Sequence, residues 1–228
     1  MAAFHIVIAD DHPLFRDALR LAVSQTVIDA DIAEADTFDS LCARLRKAPD
    51  TDLLLLDLNM PGMNGLSGLL YLRAEFAAVP IVVVSANEDP RVARRALGLG
   101  AAGYIPKSAA ASEIHEALGA LLAGGTWLPP AFDGRPAGSD SDAALAALLN
   151  TLTPQQSRVL MLLSDGLANK QIAHAMEVTE ATIKAHVSAI LHKLGVDNRT
   201  QAVILAGQLA TGFAEPPPSQ AAAPTAAR

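Results

Sequence analysis

Leu53-Leu54-Leu55-Leu56-Asp57-Leu58-Asn59-Met60-Pro61-Gly62 decides the fold. Four leucines in succession lack the alternation of a half-exposed strand. They read as a short strand buried on both faces, the kind found in a parallel sheet covered by helices. Asp57 ends the run, and Met60-Pro61-Gly62 with Asn64-Gly65 turns the chain into a loop. In open α/β sheets chemistry gathers beyond the C-terminal ends of the strands. Asp57 is therefore a candidate nucleophile or metal ligand, although a carboxylate there also serves simply to cap the next helix.

Outward from that strand the same grammar repeats. Phe4 to Ala9 is apolar and ends in Asp10-Asp11. Two adjacent carboxylates repel each other, which suits a bound hard cation with oxygen ligands. They equally suit a solvated turn, since Asp11-His12-Pro13 resembles a helix start. A helix is expected from Leu14 to Ser24, with Leu14, Ala18, Leu21 and Ala22 on its apolar face. Asp31 to Ala35 reads as a weak strand and Phe38 to Lys47 as a helix. Another helix is expected from Leu66 to Phe76. Pro80 to Ser85 is a β-branched strand ending in a hydroxyl, followed by a helix from Asp89 to Leu97. Ala101 to Lys107 is a fifth strand ending in an ammonium, and Ser112 opens a helix to Ala123. The fold class is thus α/β, a doubly wound five-stranded parallel sheet.

The strand ends now hold Asp10, Asp11, Asp57, Ser85 and Lys107. A nucleophilic carboxylate, two acids for a cation, a hydroxyl and an ammonium together suit a phosphoryl group, whose transfer needs mostly positioning and charge neutralisation. Residues 1–123 resemble the receiver domain of two-component response regulators, through Asp10-Asp11, Asp57 to Gly62, Ser85-Ala86 and Pro106-Lys107. The resemblance implies that Asp57 accepts phosphate from a histidine kinase. It implies Mg²⁺ held by Asp10 or Asp11, Asp57 and the Asn59 carbonyl. It also implies that Ser85 and Tyr104 move inward as a packing switch while Lys107 contacts the phosphoryl oxygens.

Residues 124–150 read as a linker. Gly124-Gly125 stops the helical pattern, Ala131 to Asp142 is rich in Gly, Pro, Ser and Asp, and Ala143 to Asn150 suits a short helix. Trp127, the only tryptophan, has two candidate packing partners, the segment before it and the segment after it. From Leu152 onward everything is helical. Thr153-Pro154 caps a helix to Asp165 with Val159, Leu160, Leu162 and Leu163 inward. Asn169 caps a short helix to Met176, and Glu180 to Leu194 forms a longer one closed by Gly195. A last helix runs from Thr200 to Leu209. This is the helix-turn-helix outline, a second, all-α domain over 151–210. Ile183, Val187, Ile190 and Leu194 form the apolar stripe of the longer helix. Thr182, Lys184, Ala185, Ser188 and His192 lie on its other faces.

Leu152-Thr153-Pro154, Gly166 to Ala173, Thr182 to Val187 and Lys193 to Val196 resemble the LuxR-type DNA-binding domain, and with the receiver they resemble a NarL/FixJ-type response regulator. By that resemblance Lys184, Ala185 and Ser188 approach bases of double-stranded DNA. Asn169, Lys170, Thr182 and Lys193 touch phosphates or the groove edge, and the last helix pairs two copies as a homodimer. Relatives often carry a glutamate where this chain has Gln155-Gln156, so a salt bridge is expected to be missing. The segment 211–228 is Pro/Ala-rich and expected to be disordered.

Bulk composition fits this reading. The 228 residues are 51% hydrophobic and only 4% aromatic, so Leu, Ala and Val must fill the core. The net charge of −7 is uneven: residues 1–123 carry −6, whereas 151–210 carry +1 and are not repelled by phosphate. The single cysteine, Cys42, excludes a disulfide framework and reads as a small buried hydrophobe. With no signal-peptide pattern and no apolar run of the ~18 residues a span needs, the chain is expected to be cytoplasmic and not membrane-bound. An aspartyl-phosphate phosphatase would need a second acid two residues after the nucleophile, where this chain has Asn59, so a non-enzymatic role is expected. A regulator working independently of phosphorylation is the other alternative.

Overall fold

The computed structural model describes residues 4–133 and 140–211. The expected tail and the centre of the expected linker lie outside these residues. Five parallel strands, β1 (His5–Ala9), β2 (Asp31–Ala35), β3 (Leu53–Asp57), β4 (Ile81–Ser85) and β5 (Gly103–Pro106), form one sheet in the order β2-β1-β3-β4-β5. Leu53, Leu54, Leu55 and Leu56 are at most 1% exposed, as a strand covered on both faces requires. Burial of each side chain stabilises the fold by about 2 kcal/mol. Because β1, β3 and β4 are neighbours, Asp10, Asp57 and Ser85 end at one edge of the sheet.

Helices α1 (Pro13–Thr26), α2 (Phe38–Lys47), α3 (Leu66–Glu75), α4 (Pro90–Gly98) and α5 (Ala111–Leu122) alternate with the strands. One core forms beneath α1 and α5, and a second beneath α2, α3 and α4. The apolar face expected for α1 is corrected. Leu14 and Leu21 are 86% and 59% exposed, while Leu19, Ala22 and Val23 are buried. The helix carries two overlapping apolar stripes, and the one containing Phe15, Leu19, Ala22 and Val23 has the larger side chains to bury.

After α5 the chain crosses the sheet edge. Trp127 continues the pairing beyond β5, donating its N–H to Ala102 O at 3.2 Å and accepting at its carbonyl from Tyr104 N at 3.1 Å. Its side chain is buried, so of its two candidate partners the sheet is the one it uses. A short turn of helix, α6 (Pro130–Asp133), and α7 (Asp140–Leu149) follow. The second unit contains α8 (Pro154–Ser164), α9 (Asn169–Ala175), α10 (Glu180–Leu194) and α11 (Arg199–Thr211). Thr153 and Gln156 cap α8 reciprocally, and Thr179 caps α10 by accepting from Thr182 N at 3.1 Å. Asn169 is not the cap of α9. Ala168 occupies that position, and Gln171 Oε1 accepts its N–H at 2.8 Å.

The turn between α9 and α10 places Glu177 at φ 55°, the left-handed region that a side chain enters at a cost. Glu177→Gly is expected to stabilise the protein by about 1 kcal/mol, read as a higher urea midpoint at unchanged m-value.

The two units share an interface in which α8 and α11 pack against α3. The guanidinium of Arg158 on α8 lies over the rings of Phe38, 5.0 Å away, and Tyr71, 5.6 Å away. It also pairs with Asp39 at 3.2 Å. Asn64, in the loop after Asp57, donates to Asp165 Oδ1 at 3.0 Å. The linker helix α7 packs on α4 and touches α10.

Candidate functional site

The end of the sheet forms a cavity of about 410 Å³ lined by His12, Leu14, Phe15, Asp57, Asn59, Ala86 and Lys107. Asp57 sits at its floor, 1% exposed. Its Oδ2 accepts from Lys107 Nζ at 2.8 Å, and its Oδ1 accepts from Asn59 N at 3.2 Å. Lys107 Nζ also lies 2.7 Å from Asp10 Oδ2, so one ammonium bridges two buried carboxylates. Ligand atoms of Asp10, Asp11, His12 and Asp57 all fall within 4.8 Å of one another. Of the acids expected here, all three converge. Asn59 borders the cavity, with its amide on Asp57. His12 was missed from sequence, where it reads only as part of a helix start. Its Nδ1 is 2.7 Å from Asp11 Oδ1.

The chemistry of the donor set suits a small hard cation. Asp10 Oδ2 and Asp11 Oδ1 are buried, and each is met by a single side-chain nitrogen at 2.7 Å. Only the Lys107 ammonium and the His12 imidazole face them. Three clustered carboxylates, Asp10, Asp11 and Asp57, against the one ammonium of Lys107 leave negative charge that a bound hard cation would offset.

Ser85 ends β4 beside this pocket, buried, and its Oγ accepts from Asn87 N at 3.2 Å. Tyr104 on β5 is fully buried, and its O–H donates to Asn87 O at 2.6 Å. Both expected switch residues are therefore tied to one residue, Asn87.

Several groups are held in their protonated form. Burial pushes the Cys42 thiol from 9.0 up to about 11, against the lowering charges of Arg158 and Arg46. Burial also raises Tyr104 above 10.0, with a Ser85 hydrogen bond opposing. Burial alone would depress Lys107, but hydrogen bonds and charges from Asp10 and Asp57 more than reverse it and lift the ammonium above 10.5. In each case the folded state binds its proton more tightly than the unfolded chain. The stability this contributes is complete below the ordinary values and is lost as pH rises through the folded ones. Unfolding free energy is expected to hold through neutral pH and to fall from about 9 upward, with Cys42→Ala removing the earliest part of the decline. Urea titrations across that range check it.

On the second unit, Lys170, Lys184, Ala185 and Ser188 are exposed and Thr182 half-buried. They belong to α9 and α10, whose outer faces are open. Lys184 pairs with Glu180 at 3.0 Å along the helix. Two expected contacts are otherwise engaged. Lys193 Nζ donates to Thr151 O at 2.7 Å and to Gln156 Oε1 at 2.8 Å, so it ties α10 to the start of α8. Gln156 is thereby the neutral substitute for the missing salt bridge. Asn169 Oδ1 faces Arg199 Nη1 at 3.5 Å, a contact within the helical unit.

The profile described as the response regulator receiver domain matches residues 6–119, and that of bacterial regulatory proteins of the luxR family matches residues 150–206. The glycerol metabolism activator of Pseudomonas putida is 42% identical over 212 residues, covering 90% of this chain and 96% of its own. The nitrate/nitrite response regulator NarL of Escherichia coli K12 is 35% identical, covering 87% and 93%. RcsB from Salmonella enterica serovar Typhimurium, solved bound to a promoter with the phosphomimetic BeF3⁻, superposes with TM-score 0.54 at 26% identity, covering 90% of this chain and 98% of that one. No helix among the described residues is long and apolar enough to cross a membrane. Relatives similar along nearly their whole length, and both halves matched in order, leave one conclusion: the chain belongs to the NarL/FixJ-type two-component response regulators, DNA-binding regulators of transcription rather than enzymes.

Proposed function

We propose that phosphorylation of Asp57 by a histidine kinase controls homodimerisation and sequence-specific DNA binding by this protein. The observation that carries the reading is the convergence of Asp10 and Asp11 on Asp57 and Lys107, which line one accessible cavity. A carboxylate oxygen of Asp57 attacks the phosphorus of a phosphohistidine, the P–N bond breaks, and the kinase imidazole leaves. Asp10, Asp11, Asp57 and the Asn59 carbonyl would hold Mg²⁺, which supplies the positive charge that lets an anionic carboxylate meet an anionic phosphoryl group. Lys107, which bridges Asp10 and Asp57, follows a phosphoryl oxygen in this reading, and Ser85 donates to another.

The DNA-facing set is Lys170, Thr182, Lys184, Ala185 and Ser188, with Asn169 and Lys193 holding the frame of these helices. The receiver's α3 packs on α8 and α11, and Lys184, Ala185 and Ser188 of the recognition helix α10 remain exposed. Control therefore acts on pairing through α11 rather than on groove access. The test is retention of sheared genomic DNA with and without acetyl phosphate. Retention should rise about tenfold with the donor, as a modest two-state shift would give, and no change sinks the proposal. On a fragment recovered this way, Lys184→Ala should weaken binding and flatten the salt dependence by about one charge, seen in titrations at several salt concentrations.

A further inference from the structure

Linker residues 127–132 lie against the receiver's switch, and the contacts form an unbroken chain. Ser85 Oγ accepts from Asn87 N at 3.2 Å, and Asn87 O accepts from the Tyr104 hydroxyl at 2.6 Å. The Tyr104 ring meets the ring of Phe132, with centroids 6.5 Å apart and planes tilted by 50°. Phe132 O in turn accepts from Arg94 Nη1 on α4 at 3.3 Å. Upstream, Trp127 is fixed along the free edge of Tyr104's own strand by bonds to Ala102 O and from Tyr104 N, on either side of Gly103, and its side chain is buried. The strap is thus anchored at Trp127 and rests on the switch at Phe132. Helix α7 packs on α4, the helix that carries Arg94, and reaches α10, so described contacts lead from the switch to the DNA-binding unit.

From this geometry we infer that Phe132 is the residue through which the linker reads the switch. The inference rests on Asp57 phosphorylation being the trigger. When Ser85 turns its hydroxyl to a phosphoryl oxygen, the Asn87 amide loses its acceptor. The Asn87–Tyr104 bond must then rearrange, and Phe132 loses the ring surface it rests on. With one end of the strap held at Trp127, displacement at Phe132 passes through Arg94 to α4, from α4 to the α7 packed on it, and loosens the α3–α8 contact. The route needs no movement of α10 and no change in the acidic pocket, so phosphorylation and its readout are separable at this residue.

Cys42 offers a readout independent of any operator. It is the only cysteine in the chain, and it is buried on α2 one turn after Phe38, over whose ring the Arg158 guanidinium of the other unit lies at 5.0 Å. Its labelling rate by a maleimide in the full-length protein measures interface opening, and phosphate-affinity gels measure phosphorylation. In the parent, acetyl phosphate should accelerate labelling about tenfold. Phe132→Ala should be phosphorylated to the parent's extent, yet label several-fold faster without donor and gain less than twofold with it. Phe132→Leu, which keeps an apolar group on Tyr104, should return most of the donor response, which a general loss of folding would not. If Phe132→Ala labels at the parent's rate and accelerates by the parent's factor, the inference is overturned while the proposed function stands. If the parent is phosphorylated without any acceleration, this route is overturned, whereas the proposed function falls only if the donor also leaves DNA retention unchanged.

Discussion

Asp57→Asn is expected to accept no phosphate from acetyl phosphate and to hold DNA retention at the unstimulated level, a loss of the whole of the roughly tenfold response. Asparagine keeps the shape of the side chain and removes its nucleophile. The fold should survive, because Lys107 retains its 2.7 Å contact with Asp10 Oδ2 and the leucines of β3 stay buried. Removing one of several clustered carboxylates also relieves repulsion, so the urea midpoint should be unchanged or slightly raised. Phosphate-affinity gels, retention of genomic DNA and a denaturation curve on the same preparation decide the matter. Stimulation of the variant equal to that of the parent would mean that the donor acts elsewhere, and Asp57 would be only a cap. The control variant Asp52→Asn changes a carboxylate at the opposite end of the same strand, where it accepts from His5 N at 2.8 Å, and should leave stimulation intact.

The sequence disclosed what depends on local pattern. The leucine run before Asp57, the acids after β1 and the lysine after β5 were each legible as strand ends. Parallel order then brings strand ends together without further information. Long-range contacts were less legible. Lys193 looked free on the last turn of α10, yet its partners, Thr151 and Gln156, lie 42 and 37 residues away. Asn169 was read as a cap because its side chain suits one, and the backbone of Ala168 took the place instead. On α1 two apolar stripes overlap, and the one with the larger side chains, Leu19 and Val23 among them, takes the buried face. Trp127 and Phe132 carried no signal that they would straddle Tyr104, since both lie in a stretch whose Gly and Pro content marks it merely as irregular.

The contact between the units yields the second large expectation: Arg158→Ala should label at Cys42 about five- to tenfold faster than the parent in the absence of any phosphodonor. Arg158 lies over two rings, Phe38 and Tyr71, which themselves meet edge to face at 5.6 Å. A partly desolvated guanidinium over aromatic faces contributes about 1–2 kcal/mol. Its pairing with Asp39, whose side chain is 85% exposed, adds little because water screens it. Part of the gain is offset, since Arg158 Nη1 is buried without a hydrogen-bond partner. The net value is on the order of 1 kcal/mol, several-fold in a closed-to-open ratio. The Asn64–Asp165 hydrogen bond and the apolar α3–α8 surface survive the substitution, so the closed arrangement weakens rather than vanishes. Arg158→Lys should rescue poorly, because a compact, strongly hydrated ammonium does not stack on rings as a planar guanidinium does. Asp39→Ala should label as the parent does, which separates ring stacking from the ion pair. Were Asp39→Ala to open the interface and Arg158→Lys to keep it closed, charge pairing would be the clamp and the stacking incidental.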